Sequence, residues 1–266
     1  MLNAVNHSAP LRAAPATAFP WRRSRARRFI IELAGCSGSG KSSLLAEVLR
    51  YCREQNLPTV TMPQALLTRI PQVFVRQPIL QNVMLDMAGL SRTLAGPPRY
   101  RDFLRFARST IWRDTDRFLR GVSAYRSVLR ALGVHAALSN GASEPGVVLV
   151  DEGTINSAHG VLVHVQQPPR TDDIDAFCSL VPLPDLVIYV TAPLEVVLAR
   201  TIRRKDPPLR YRSRADRERF VRHAHTVFQQ VMSHGALSQR TLRISFDGDN
   251  RQQYRIGARQ IVEQIA

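Results

Sequence analysis

Residues 35–42 read Gly-Cys-Ser-Gly-Ser-Gly-Lys-Ser, and no other stretch limits the chain's fold as tightly. The octapeptide fits G-x-x-x-x-G-K-[ST], a pattern that is specific only when a strand precedes it and a helix follows. Both flanks comply. Phe29-Ile30-Ile31-Glu32-Leu33-Ala34 is short, apolar and β-prone, and the segment from Ser43 to Arg50 sets Leu44, Leu45, Val48 and Leu49 on one helical face. Glycines here let backbone N–H groups turn inward around phosphate oxygens, and the helix start adds partial positive charge. The expected phosphate-contacting set is Gly35, Cys36, Ser37, Gly38, Ser39, Gly40, Lys41, Ser42 and Ser43. Lys41 reaches the β- and γ-phosphates of ATP, and the Ser42 hydroxyl is a ligand for Mg2+.

The rest of the chain alternates strands and helices. Further strands are expected at 58–62, 147–150, 185–191 and 242–246, with amphipathic helices between them and a last helix lining Tyr254, Ala258, Ile261, Val262 and Ile265 along one face. Helices are also expected at 156–165, 173–180, from Pro193 onward, and at 213–232. Alternation of this kind implies a three-layer α/β fold, a five-stranded parallel sheet with helices on both faces. Residues 64–139 interrupt it and read as a helical insertion, with helices near 78–90, 99–119 and 122–138. Residues 1–28 carry six Arg, no acid and no apolar periodicity, and are expected to be a disordered basic tail ahead of a domain spanning 29–266.

Two more constellations carry chemistry. Val147-Val148-Leu149-Val150-Asp151-Glu152-Gly153 is an apolar strand ending in acids, which the fold brings out beside the phosphate loop. Asp151 is the expected partner of Ser42 in holding Mg2+, and Glu152 is placed to orient or deprotonate an attacking group. The basic segment Arg200, Arg203, Arg204, Lys205, Arg210, Arg212 and Arg214 is the expected lid, over about 200–214. Arg200 and Arg204 lie one helical turn apart and are the expected clamps on charge developing in the transferred phosphoryl group. Arg101, Arg105 and Arg108 share a helical face in the insertion, which reads first as a solvated face.

The net charge of +16 is concentrated in 1–28, 97–130 and 200–222. No zinc finger, aromatic RNA-binding signature or basic zipper accompanies it, so nucleic acid is not an expected partner. Cys36, Cys52 and Cys178 show neither pairing nor metal-ligand spacing, which fits a reducing, cytoplasmic setting. No apolar run approaches the roughly 18 residues of a membrane span. The histidines show no zinc-binding pattern. The sequence leaves the oligomeric state open, a homodimer included.

An ABC-type ATPase would carry Leu-Ser-Gly-Gly-Gln, and a GTPase Asn-Lys-x-Asp after a late strand. Neither occurs here, which turns the reading towards a small-molecule kinase. The loop at 35–42, the acidic strand end at Asp151, and Pro184-Asp185-Leu186-Val187-Ile188-Tyr189-Val190 through Leu198-Ala199-Arg200 together resemble the thymidylate kinase-like group of phosphate-loop kinases. The resemblance implies ATP and Mg2+ as cofactors, a small-molecule acceptor, and an Arg-bearing lid that Arg200 and Arg204 match. The chain departs from the group at three places. Ala199 stands where the group has Glu, Ala34 stands before Gly35 where Glu is common, and Glu152 stands where an Arg holds an acceptor-side phosphate. A carboxylate at that last position repels a nucleotide monophosphate, so thymidylate is not the expected acceptor. The competing reading is a phosphate-loop ATPase or nucleotide-binding module that transfers no phosphate to a small molecule.

Overall fold

The sheet grows outward from the strand that carries the phosphate loop. In the computed structural model, which describes residues 28–67, 86–87, 90–91, 96–114, 118–139, 146–203, 213–248 and 250–265, β1 (Arg28–Ala34) is the central strand. It pairs in parallel with β3 (Gly146–Val150) on one side and β4 (Leu186–Thr191) on the other. β2 (Thr59–Thr61) extends the sheet beyond β3, and β5 (Thr241–Ser245) beyond β4, giving the order β2-β3-β1-β4-β5. Parallel neighbours require crossovers, and the helices that supply them cover both faces. The expected three-layer α/β arrangement, with its five parallel strands, is therefore the one observed.

Side-chain alternation sorts the two faces. Phe29, Ile31 and Leu33 of β1, Val147 and Leu149 of β3, and Leu186, Ile188 and Val190 of β4 pack towards α1 (Lys41–Glu54) and α10 (Arg251–Ile265). Residues offset by one along the same strands face the other layer: Ile30, Ala34, Val148, Val150, Val187 and Tyr189. That layer contains α3 (Pro98–Asp114), α4 (Phe118–Ser139), α6 (Thr171–Leu180) and α8 (Arg214–Ser233), with α2 (Met62–Leu67) at the β2 edge. Glu32 also points to this second face, the one acid inside β1. Tyr254, Ala258, Ile261, Val262 and Ile265 are all buried, as the spacing of α10 predicts. Complete burial of one such aliphatic side chain contributes about 1.5–3 kcal/mol.

Several boundaries depart from the sequence reading. β1 begins at Arg28, one residue inside the expected tail. α3 is described to Asp114 and α4 from Phe118, with 115–117 outside the described residues, so Phe118 and Leu119 belong to α4 and not to the helix before it. Most of the expected helix at 78–90 also lies outside the described residues. The expected helix at 156–165 shrinks to α5 (Ala158–Val161). Its lead-in is a tight turn in which Ser157, Ala158 and His159 donate to carbonyls three residues back, and the N–H groups of Ile155 and Asn156 ahead of it donate to Glu32. α7 (Leu194–Ile202) follows β4, and α9 (Gly235–Ser238) is a short turn before β5. No described helix is long and apolar enough to cross a membrane.

Candidate active site

Three glycines of the phosphate loop adopt the left-handed region, with φ of 146° at Gly35, 87° at Gly38 and 103° at Gly40. Each is also closely covered. A Cβ on Gly35 would run into the Val190 carbonyl oxygen, one on Gly38 would lie 2.7 Å from Thr201 Oγ1, and one on Gly40 would lie 2.8 Å from the Tyr254 hydroxyl. The loop is thus held by contacts that only glycine permits. Thr201 donates to the Ser37 carbonyl at 3.3 Å, and Arg200 Nη1 donates to the Gly38 carbonyl at 3.2 Å, so α7 braces the loop from the β4 side.

The start of α1 is bare. Gly40 occupies its N-cap and brings no capping side chain, and its first turn holds no acid. α8 begins in the opposite manner, with Ser213 Oγ accepting from the Asp216 N–H at 3.0 Å and Asp216 itself in the first turn. Uncapped N–H groups at the end of an apolar strand form an anion site. Lys41 supplies the matching charge. Its ammonium lies in the loop, donating to the carbonyls of Gly35 at 2.6 Å and Cys36 at 3.1 Å. Ser42 and Ser43 are exposed on the first turn of α1.

Asp151 and Glu152 leave β3 next to this loop. Val150 is paired with Glu32, and Asn156 Nδ2 then donates both to the Leu33 carbonyl at 2.8 Å and to the Asp151 carbonyl at 2.7 Å, bridging the two strand ends. Asp151 is half-buried and Glu152 is exposed. Beneath them is Glu32, which the sequence reading passed over as part of an apolar strand. Its carboxylate accepts the Asn156 N–H at 2.8 Å and the Ile155 N–H at 3.2 Å, with the Thr154 hydroxyl at 3.5 Å. Burial pushes its pKa up from 4.5 to about 7, and the hydrogen bonds from Asn156, Ile155, Thr154 and Gly153 restrain that rise. A Cβ on Gly153 would collide with the Glu32 carboxylate, which gives the glycine of Asp-Glu-Gly its reason. The one available signal was an acid among β-prone apolar residues, since an unpaired carboxylate is not buried without donors around it.

The expected lid is only partly within view. Arg200 reaches the loop backbone as described; Arg204, with Lys205, Arg210 and Arg212, lies outside the described residues. Arg101, Arg105 and Arg108 are exposed along α3, and Arg105 pairs with Asp102 at 3.2 Å. A cavity of about 240 Å³ lies elsewhere, at the amino ends of the strands among Arg99, His135, Asp185 and Arg240, away from the loop. Cys36, Cys52 and Cys178 are buried free thiols, and burial raises the pKa of Cys36 to about 11.

Mg2+ fits the residues present at the strand ends. A serine hydroxyl on the first turn of α1 and a carboxylate leaving the strand beside β1 are hard oxygen donors, and the glycine-rich loop ahead of α1 is suited to bring phosphate oxygens to backbone N–H groups. No family model matches the chain, and no curated protein does. Among solved structures it is similar to a shikimate kinase from Acinetobacter baumannii bound to shikimate, at 13% identity and a TM-score of 0.40, covering 92% of this chain and 97% of that one. It is also similar to a shikimate kinase from Bacteroides thetaiotaomicron, at 13% identity and a TM-score of 0.39, covering 88% and 97%. The fold assignment rests on the strand order and on the loop: the chain is a five-stranded parallel α/β domain of the phosphate-loop type, with a helical insertion.

Proposed function

We propose that the chain is an ATP-dependent phosphotransferase acting on a small molecule. The observation that carries this reading is the pairing, on adjacent parallel strands, of an uncapped helix start holding Lys41 with a carboxylate pair at the end of β3. The loop N–H groups and Lys41 hold the ATP phosphates, and Ser42 and Asp151 hold Mg2+, which when bound neutralises charge on the phosphates. Glu152 accepts the proton of the acceptor hydroxyl as its oxygen bonds to the γ-phosphorus and the bond to ADP breaks. Arg200 braces the loop from α7, and Arg204 is the proposed clamp on charge developing in the transferred group. Glu152 weighs against thymidylate and other nucleotide monophosphates as acceptors, and favours a hydroxyl-bearing molecule without a phosphate at that point.

The test is incubation with γ-labelled Mg-ATP and pools of nucleosides, nucleotides, sugars and small hydroxy acids. A labelled small-molecule product that depends on Lys41 is the expected result. ADP release that no acceptor stimulates, with no labelled product, would leave the ATPase reading in its place.

A further inference from the structure

We propose that Glu32 is a positioning residue for the Asp151–Glu152 pair, and that it governs magnesium binding without touching metal or nucleotide. The inference rests on the reading of Asp151 as a metal-side residue.

Glu32 is 2% exposed, and its neighbours on the same face of β1 are Ile30 and Ala34. An apolar side chain would fill this space at no electrostatic cost, so the presence of a carboxylate calls for a reason. The reason lies in the segment wrapped around it. The N–H groups of Ile155 and Asn156 and the hydroxyl of Thr154 all converge on the two oxygens, and Gly153 passes too close to them for any Cβ. Four consecutive residues, beginning directly after Glu152, are thus shaped by one side chain from another strand.

The shape is then passed on to Asp151. Asn156, its N–H fixed by Glu32, donates its side-chain amide to the Asp151 carbonyl and to the Leu33 carbonyl. Leu33 follows Glu32 directly, and the phosphate loop opens at Gly35. One strand therefore fixes both halves of the site, the phosphate loop through its carboxyl end and the acidic pair through Glu32. Groups that orient a metal ligand without touching the metal typically alter metal affinity by about 10–100-fold when removed.

The experiment is equilibrium binding of ATPγS with and without Mg2+, to the full chain and to Glu32→Gln, Glu32→Ala and Asn156→Ala, with circular dichroism to confirm folding. Metal-free binding draws on the loop and Lys41 and is expected to stay within about twofold of wild type in every variant. The enhancement by Mg2+ is expected to fall about tenfold in Glu32→Ala and Asn156→Ala. Glu32→Gln, which keeps one acceptor oxygen, should retain more of the enhancement than Glu32→Ala. Should Glu32→Ala fail to fold, Asn156→Ala decides the matter. Undiminished enhancement in the folded variants, or a parallel loss with and without Mg2+, would overturn the positioning role. Wild-type binding that Mg2+ does not enhance would instead overturn the metal-side reading of Asp151, and this proposal with it.

Discussion

The phosphate loop and the acidic loop leave neighbouring strands side by side, yet they are held by opposite means. The first is fixed by side chains that are missing: Gly35, Gly38 and Gly40 lie against Val190, Thr201 and Tyr254. The second is fixed by a side chain that is inserted, the Glu32 carboxylate under residues 153–156. Added atoms therefore break the first loop, and removed atoms break the second. A local motif can record only the first kind of constraint.

The sharpest break should come from Gly35→Ala, which adds a Cβ against the Val190 carbonyl at φ 146°. We expect a loss of about 3 kcal/mol or more in urea unfolding, with nucleotide binding lost as well. Next is the reverse operation. Glu32→Ala leaves the N–H groups of Ile155 and Asn156 without their buried acceptor and should cost about 2–4 kcal/mol.

Gly153→Ala joins the two logics, because its added Cβ meets the Glu32 carboxylate. It should cost about 1–3 kcal/mol alone and much less in a Glu32→Ala background, so a double-mutant cycle should return a coupling of about 1 kcal/mol or more. Additive effects would separate the two residues.

The pH dependence sharpens the comparison further. With its pKa raised from 4.5 to about 7, Glu32 keeps a proton in the folded chain that the unfolded chain has released between those values. Its contribution to stability is thus full below about 4.5 and declines as pH rises to about 7. Over that window wild type should lose roughly 2–4 kcal/mol relative to Glu32→Gln, which does not titrate there. Chemical denaturation of both at stepped pH measures the difference, and parallel curves would place Glu32 outside it. The smallest effect concerns Cys36. Its thiol is buried with a pKa near 11, so iodoacetamide at neutral pH should modify it only after unfolding, and Cys36→Ala should change stability by about 1 kcal/mol or less.

What the sequence disclosed follows the same division. Ile30, Ile31, Val147–Val150 and Leu186–Val190 read as strands because buried parallel strands are continuous apolar runs, and Gly35–Ser42 reads as a loop because its constraint is local. Glu32 was missed because the residues that explain it are more than 120 positions away. The expected helix at 156–165 is only Ala158–Val161, and the N–H groups of Ile155 and Asn156 ahead of it are held by the same distant carboxylate. Tyr254 was read correctly as a core residue of α10, but no local pattern could reveal that its hydroxyl covers Gly40. The α3–α4 boundary was placed after 119 rather than before Phe118 because no glycine or proline occurs between Asp114 and Phe118 to mark it.

That tyrosine has a consequence for synthesis. The phosphate motif leaves the ribosome early, but its covering residue lies on α10, whose apolar face also completes the packing of Ile31, Leu33, Leu44 and Val48. A nascent chain with residues 28–245 already displays the whole motif without the wall that shapes it. Nucleotide capture should therefore be a late event in biogenesis, switched on when α10 docks rather than when the glycines appear.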